Sequence, residues 1–163
     1  MQILNDRQIR QKIKRLAIEI IEHNIDEKQI ILAGINNNGM TFAHLLEEQL
    51  NTFCKQKIIM TRLVINPAQP LSSDVQLDLP ISKLKNKVII IVDDVANTGR
   101  TIFYACKPLL ETLPKKVEVA VLVDRTHKSF PIKVDYYGLS LATTLLEDIV
   151  VKIREVDQFS VEL

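Results

Sequence analysis

Two adjacent aspartates, Asp93 and Asp94, come directly after a run of β-branched residues in the segment VIIIVDDVANTGRT, which spans 88–101. The part after the acids, Ala96–Thr101, contains two threonines and a glycine. Backbone N–H groups around a glycine can form a concave anion site, and threonine hydroxyls add further donors. Because a helical pattern follows, the N–H groups of its first turn would point at the same anion. The segment therefore predicts a loop that binds a phosphate monoester.

The acidic pair narrows the choice of ligand, because bare carboxylates repel a phosphate. The conflict disappears if a hydroxylated group lies between the phosphate and the acids, since carboxylates accept hydrogen bonds from vicinal ribose hydroxyls. The same carboxylates can also assist in holding Mg²⁺, an ion that binds through few carboxylates together with substrate oxygens. A ribose 5-phosphate satisfies both halves of the segment.

Other interpretations of the acidic pair are less consistent with its position. Phosphoacceptor receiver domains place such a pair near the start of the chain, whereas here it lies in the middle with TGRT behind it. A purely structural role is disfavoured because adjacent buried acids without partners are costly. The four glycines form neither a GxxxxGK[ST] nor a GxGxxG pattern, which argues against nucleoside triphosphatase or dinucleotide chemistry.

The surrounding pattern predicts an α/β fold with an open, mostly parallel twisted sheet flanked by helices. Continuous apolar runs, which are typical of strands covered on both faces, alternate with helical spacing. The strands are expected at Gln29–Ile35, Lys57–Ile65, Val88–Val92, Val117–Val123, Lys133–Tyr137 and Ile149–Ile153, and the helices at Asn5–Asn24, 40–50 and 99–113, the last kinked at Pro108.

Three loops should meet at one edge of this sheet, because ligands bind beyond the carboxyl ends of parallel strands. They are a turn at Asn36–Gly39, the segment Asp93–Thr101 and the segment Asp124–Lys128. A further segment, Asn66–Ser82, contains three of the six prolines. So long a loop is usually functional, so it is interpreted as either a lid over the site or a disordered excursion.

Length and composition predict one domain spanning residues 1–163, in a cytoplasmic protein with no membrane partner. A chain of 163 residues can bury one good core, and its net charge of +1 creates no global field toward nucleic acid. The first residues lack a signal sequence, and no apolar run approaches the length of about 18 residues that a membrane span needs. The two cysteines have no CxxC spacing, which fits a reduced compartment.

The segment VIIIVDDVANTGRT resembles the signature of type I phosphoribosyltransferases, which bind phosphoribosyl pyrophosphate (PRPP). Within them, the chain is similar to the family of pyrimidine operon attenuation regulators that also act as uracil phosphoribosyltransferases. That similarity is carried by ILNDRQIRQKIKRLAIEIIEHN, ILAGINNNGMTFAHLLEEQL, VEVAVLVDRTHKSFPIKVDYYGLSLATT and VVKIREVD. The resemblance implies the type I fold with a small hood, transfer of phosphoribosyl from PRPP to a nucleobase, most readily uracil, Mg²⁺ as cofactor, and a homodimer or higher homo-oligomer.

The resemblance also implies roles for individual residues. Asp93 and Asp94 would take the ribose hydroxyls as the catalytic pair, and Mg²⁺ would be held mainly by the substrate, with no direct protein ligand. The 5-phosphate would be wrapped by Val95, Ala96, Asn97, Thr98, Gly99, Arg100 and Thr101, and the pyrophosphate by Asn36, Asn37, Asn38 and Gly39. At the end of a neighbouring strand, Asp124 and Arg125 are candidates for reading the base.

Two departures from the family leave a second function open. The pyrophosphate turn of relatives reads GIKTRG, whereas this chain has the uncharged GINNNG, and the lid lacks the Arg-Asp pair of relatives. The alternative is therefore a catalytically weak, nucleotide-sensing regulator of pyrimidine genes that binds RNA. Basic positions matching the family's RNA-binding face are Arg15, His127, Lys128 and Lys133. Without interleaved aromatic residues, the same cations also fit a plain solvated surface.

Overall fold

The computed structural model of the protein describes residues 1–142 and 147–163. In chain order the elements are β1 (Gln2–Leu4), α1 (Asp6–His23), β2 (Gln29–Ile35), α2 (Asn36–Phe53), β3 (Lys57–Val64), β4 (Gln76–Leu77), β5 (Val88–Ala96), α3 (Arg100–Ala105), β6 (Lys116–Arg125), β7 (Tyr136–Leu141), β8 (Val150–Lys152) and β9 (Ser160–Glu162). One 3₁₀ turn, Ile81–Lys83, precedes β5, and another, Lys107–Glu111, follows α3. Within the described residues, none of the helices combines the length and apolar character that crossing a membrane requires.

The main sheet has six strands in the order β4-β3-β2-β5-β6-β7 and confirms the expected open α/β architecture. All neighbours pair in parallel except β4, which lies antiparallel to β3. Both faces of the sheet are covered, as the uninterrupted apolar strands require. Side chains of α1 and α2 fill one core with Leu32 and Ile90, and α3 fills the other with Ile31 and Ile91.

A separate antiparallel sheet of three strands, in the order β1-β9-β8, forms the small hood. The hood is fastened to the start of α1, where Asn5 and Gln8 form a capping box. Asp6 accepts a hydrogen bond from the Phe159 N–H at 3.0 Å and another from the Arg10 Nε at 2.8 Å. The Arg10 guanidinium also lies 4.4 Å from the centre of the Phe159 ring.

Several element boundaries differ from the expected ones, each for a local reason. The strand expected to end at Val92 continues to Ala96, because its backbone keeps pairing with the longer β6. The expected turn at Asn36–Gly39 is the first turn of α2. The third helix ends at Ala105 and tightens into a 3₁₀ turn that contains Pro108, where the missing N–H cannot continue an α-helix.

The last two strands were also misplaced by the sequence pattern. The strand expected at Lys133–Tyr137 begins at Tyr136, because the chain joins β6 only after Asp135, whose backbone N–H and side chain both bond to Val119. The strand expected at Ile149–Ile153 is shorter and belongs to the hood.

Candidate active site

The loop after β5 forms a small cup with a cavity of ≈ 270 Å³, lined by Asp93 and by residues 95–102. Gly99 adopts a φ of 86°, a left-handed conformation that favours glycine. The Thr98 carbonyl accepts hydrogen bonds from the N–H groups of Ser129 at 3.0 Å and Phe130 at 3.2 Å. The segment after β6 therefore holds the cup from outside.

The two aspartates lie inside β5 rather than after it, and their environments differ. Burial, followed by the negative charge of Asp94, raises the pKa of Asp93 well above its usual range. One oxygen of Asp93 accepts a hydrogen bond from the Asp94 N–H at 2.9 Å. Asp94 uses one oxygen for the Val95 N–H at 2.9 Å and the other for the Asn38 side-chain amide at 3.1 Å.

The turn between β2 and α2 is held by its own asparagines. Asn36 has a φ of 51°, which asparagine tolerates better than most residues. Its side chain donates to the Ile65 carbonyl at 2.8 Å and accepts from the Ile65 N–H at 3.0 Å. Asn36 thus fixes the end of β3, where the long loop begins, and its amide is committed to the protein rather than to a ligand.

Gly39 allows this turn to approach β5. A Cβ added at Gly39 would lie 2.6 Å from the carbonyl oxygen of Val92, closer than real Cβ contacts allow. The first turn of α2 therefore rests directly on the strand that carries Asp93 and Asp94. This contact explains how Asn38 comes within hydrogen-bond distance of Asp94.

The turn at the start of α2, the two aspartates and the loop Ala96–Thr101, here called the phosphate loop, line one open cleft with an empty volume of ≈ 900 Å³. Two of the three loops predicted from the sequence contribute to its walls, whereas the segment Asp124–Lys128 does not line it; the contributing residues are Asn36, Asn37, Asn38, Asp93, Asp94, Val95, Asn97 and Thr101. Pro67 and Ile149 also line the cleft and had not been assigned to the site from the sequence. Pro67 belongs to the proline-rich loop that was interpreted as either a lid or a disordered excursion. Nothing in the local sequence marks Ile149, which precedes the hood strand β8.

The residues at the end of β6 adjoin the phosphate loop through side-chain contacts. Asp124 is opposite Ala96 in the sheet register and pairs with Lys128 at 2.6 Å, with both side chains mostly buried. Arg125 donates to the Asn97 side chain at 3.3 Å. The two base-reading candidates therefore touch the rim of the phosphate loop, and Lys128 neutralises one of them.

The four basic residues matched to an RNA-binding face differ in their exposure and in their partners. Lys128 is turned inward to Asp124 and the Arg125 carbonyl. His127 is exposed, and Lys133 is 87% exposed while lying 3.8 Å from Asp135. Arg15 donates to the Gly138 carbonyl on β7 at 3.2 Å.

This arrangement can hold a phosphate, a hydroxylated group and a second anion in sequence. Within the described part of the chain, no group of three or more His, Cys, Asp or Glu residues could hold a metal ion by itself. The paired acids fit an ion whose remaining ligands come from a bound substrate.

Comparisons with known proteins agree with this geometry. A family model described as phosphoribosyl transferase domain matches residues 1–156. The bifunctional protein PyrR of Staphylococcus epidermidis is 33% identical over 168 residues, covering 95% of this chain and 93% of the relative. The bifunctional protein PyrR of Bacillus pumilus is 35% identical over 165 residues, covering 96% and 92%.

Solved structures with the same fold have lower identity. The hypoxanthine-guanine phosphoribosyltransferase of Bacillus anthracis matches with a TM-score of 0.79 at 17% identity, over 98% of this chain and 95% of the other. The hypoxanthine phosphoribosyltransferase of Trypanosoma cruzi matches with a TM-score of 0.77 at 18% identity, over 99% and 95%.

Proposed function

The chain belongs to the phosphoribosyltransferase family, and we propose that it transfers phosphoribosyl from PRPP to uracil, forming UMP and pyrophosphate. The observation that carries this proposal is the single cleft shared by the phosphate loop, the acidic pair and the turn at the start of α2. The choice of uracil rests on the sequence resemblance described above. We also propose that the active form is a homodimer or a higher homo-oligomer.

The chain's own residues suit a reaction at ribose C1 in which a base nitrogen displaces pyrophosphate. The loop Ala96–Thr101 would hold the 5-phosphate through backbone N–H groups, and Asp94 would accept hydrogen bonds from the ribose hydroxyls. Asn37 and Asn38 face the cleft where the leaving pyrophosphate would lie. The lid residue Pro67 and the hood residue Ile149 would help to exclude water from an oxocarbenium-like transition state.

Magnesium would bind with PRPP near Asp93 and Asp94, held mainly by oxygens of the substrate. When bound, the ion would neutralise part of the charge on the departing pyrophosphate. Burial and the charge of Asp94 raise the pKa of Asp93, which disfavours its ionised form.

A second candidate is a nucleotide-sensing regulator that binds RNA and turns over slowly. The observation that favours it is the commitment of the turn's asparagines to protein partners: Asn36 to Ile65 and Asn38 to Asp94. With no cation in the turn, the pyrophosphate has only neutral donors there, each contributing about 0.5–1.5 kcal/mol rather than 1.5–3 kcal/mol. The same cleft would then bind a nucleotide as a signal.

The deciding experiment supplies the purified chain with PRPP, Mg²⁺ and one nucleobase at a time, namely uracil, hypoxanthine or guanine. Pyrophosphate release and chromatography of the nucleotide product are followed together. We expect UMP with uracil and little product with the purines. UMP binding without turnover would support the regulator, and turnover only with a purine would contradict the choice of uracil.

A further inference from the structure

The parallel strands of the main sheet begin in a row of lysines, here called the lysine edge. Hydrogen bonds between neighbouring strand starts place these residues side by side: Lys57 N–H donates to the Lys28 carbonyl at 3.0 Å, and Lys115 N–H to the Lys87 carbonyl at 2.9 Å. Because adjacent strands are about 4.8 Å apart, the row crosses the sheet within about 15–20 Å. Its members at the strand starts are Lys28, Lys57, Lys87, Lys115 and Lys116, and the segments that lead into β3 and β5 add Lys55, Lys83 and Lys85.

Ion pairs compensate two of these eight lysines. Lys115 pairs with Glu27 at 2.5 Å, and Lys116 pairs with Glu118 at 3.3 Å. Among the described residues, the remaining six lysines form no ion pair within the distance that defines one. Most of them are exposed, so the β2, β3 and β5 part of the edge presents positive charge to its surroundings although the whole chain carries only +1.

A groove runs into the sheet beneath the uncompensated lysines. It has an empty volume of ≈ 850 Å³, with Lys57, Lys83 and Lys87 among its walls together with Ile31 and Ile59. The groove exists because a coil and a short 3₁₀ turn, rather than a long helix, cover β2 and β3 on this face. Ile31 is fully buried, so the apolar surface is recessed below the charged rim.

We propose that the lysine edge binds the phosphate backbone of a single-stranded nucleic acid, without reading its sequence. Lysine is a compact charge that suits phosphate oxygens, and a row across several strands fits a polymer better than a small anion. The edge carries no arginine fork to contact bases, so backbone contacts dominate. An anionic bilayer is the competing partner, because Ile25 is 67% exposed and Leu113 is 74% exposed on the segments that lead into β2 and β6.

This binding is independent of the proposed transfer reaction. The lysine edge lies at the amino ends of the strands and the cleft at their carboxyl ends, about 20 Å away for a seven-residue strand such as β2. It also differs from the face formed by Arg15, His127 and Lys133. A protein that fails to transfer phosphoribosyl could still bind nucleic acid here, and the reverse also holds.

The test measures fluorescence anisotropy of a labelled 20-nucleotide oligoadenylate RNA with the full chain at 50–200 mM KCl. The edge variant combines Lys28→Gln, Lys57→Gln and Lys87→Gln. A matched control, Arg7→Gln with Lys152→Gln and Arg154→Gln, removes three charges from α1 and the hood. A third variant combines Arg15→Gln, His127→Gln and Lys133→Gln. Circular dichroism, melting temperature and pyrophosphate release are recorded for all four proteins.

We expect the edge variant to bind the RNA about tenfold or more weakly. The slope of log binding constant against log salt concentration should become shallower by about 2, because each lost phosphate contact removes about 0.7. The control should bind like the unmodified chain, and pyrophosphate release should not change. Equal binding by the edge variant overturns the proposal, as does a loss confined to the third variant. Co-sedimentation with phosphatidylserine vesicles but no RNA binding overturns it in favour of a bilayer.

Discussion

Asp93 and Asp94 share a residue type, but burial raises the pKa of Asp93 well above its usual range. The sequence predicted both as carboxylates for ribose hydroxyls, because residue type and spacing carry that information. It could not predict the burial that raises the pKa of Asp93, because that burial depends on the elements packed around β5. The same limit applies to Asn36, whose type was known but whose side chain bonds to Ile65, a residue 29 positions away.

The raised pKa of Asp93 predicts a stability difference that depends on pH. Between the unfolded pKa, near 3.8, and the higher folded value, the folded protein binds a proton that the unfolded chain has lost. The stability that this group contributes is thus complete below the unfolded pKa and falls as pH rises toward the folded one. Asp93→Asn should remove this fall and raise the melting temperature at pH 7.5, with each 1 kcal/mol of regained stability corresponding to about 2–4 °C.

Thermal melts of the unmodified chain, Asp93→Asn and Asp94→Asn at pH 4 and pH 7.5 check this prediction. The Asp93→Asn gain should shrink at pH 4, and Asp94→Asn should show no comparable gain. A clear loss of stability in Asp93→Asn at pH 7.5 would mean that an ionised, hydrogen-bonded Asp93 stabilises the fold.

The two asparagines of the turn predict opposite effects of added charge. Asn38→Arg should strengthen the grip on pyrophosphate, because residue 38 faces the cleft and a guanidinium binds phosphate oxygens in pairs. If the added charge lowers the activation free energy by about 1–2 kcal/mol, the rate of pyrophosphate release should rise roughly tenfold. Asn36→Lys should give no such gain, because lysine cannot replace both hydrogen bonds to Ile65.

Steady-state release of pyrophosphate by the two single variants and the double variant separates these effects. The matched control is Asn38→Arg in an Asp94→Asn background, where the gain should be much smaller. If Asn36→Lys alone raises turnover as strongly as Asn38→Arg, the hydrogen bonds from Asn36 to Ile65 have no influence on the reaction.

At the scale of elements, the sequence pattern predicted the long parallel strands and the first two helices, because their apolar spacing is strong over many residues. It misplaced β7 and shortened β5, because pairing with β6, rather than local composition, decides where those strands begin and end. The family resemblance implied a small hood, and the pattern predicted one of its strands near Ile149–Ile153, but it did not predict the three-stranded sheet. Its strands have three residues each and come from opposite ends of the chain, so no local period marks them.

The contact between α2 and β5 predicts that Gly39→Ala will damage both stability and ligand binding. A methyl group 2.6 Å from the Val92 carbonyl must push the helix away from the strand. Overpacking of this kind typically costs about 1–3 kcal/mol. Urea unfolding and PRPP titration of Gly39→Ala should both show losses, whereas Thr41→Ala, two residues along the same helix, should change each only slightly. An unchanged PRPP affinity in Gly39→Ala would show that the position of the turn does not affect ligand binding.

At the scale of the whole molecule, the net charge of +1 conceals a separation of charge that only the fold creates. The lysines of the lysine edge are scattered between residues 28 and 116, and strand pairing brings them together. The cleft on the opposite edge was predictable, since parallel strands always present their carboxyl ends together.

Ligand binding at that cleft should stabilise the entire fold. PRPP with Mg²⁺ at about 100 times its dissociation constant adds about 2.7 kcal/mol to the free energy of unfolding. For a chain of this size, that corresponds to a rise of about 5–10 °C in melting temperature. Differential scanning fluorimetry with and without PRPP and Mg²⁺ measures the rise. The variant combining Asp93→Asn and Asp94→Asn should show little of it, and an equal rise in that variant would place PRPP elsewhere.

The pairing of β1 with β9 also has a consequence for the order of folding. Gln2 pairs with Glu162, so formation of the hood closes a loop that contains nearly the whole chain, including the main sheet and the helices. Closing a loop of about 150 residues costs roughly 4–5 kcal/mol in chain entropy if nothing else is ordered. The main sheet must therefore assemble first and bring the two strands close. Hood amides should become protected from hydrogen exchange last during refolding, and Ile149 should reach the cleft only after β5 has formed.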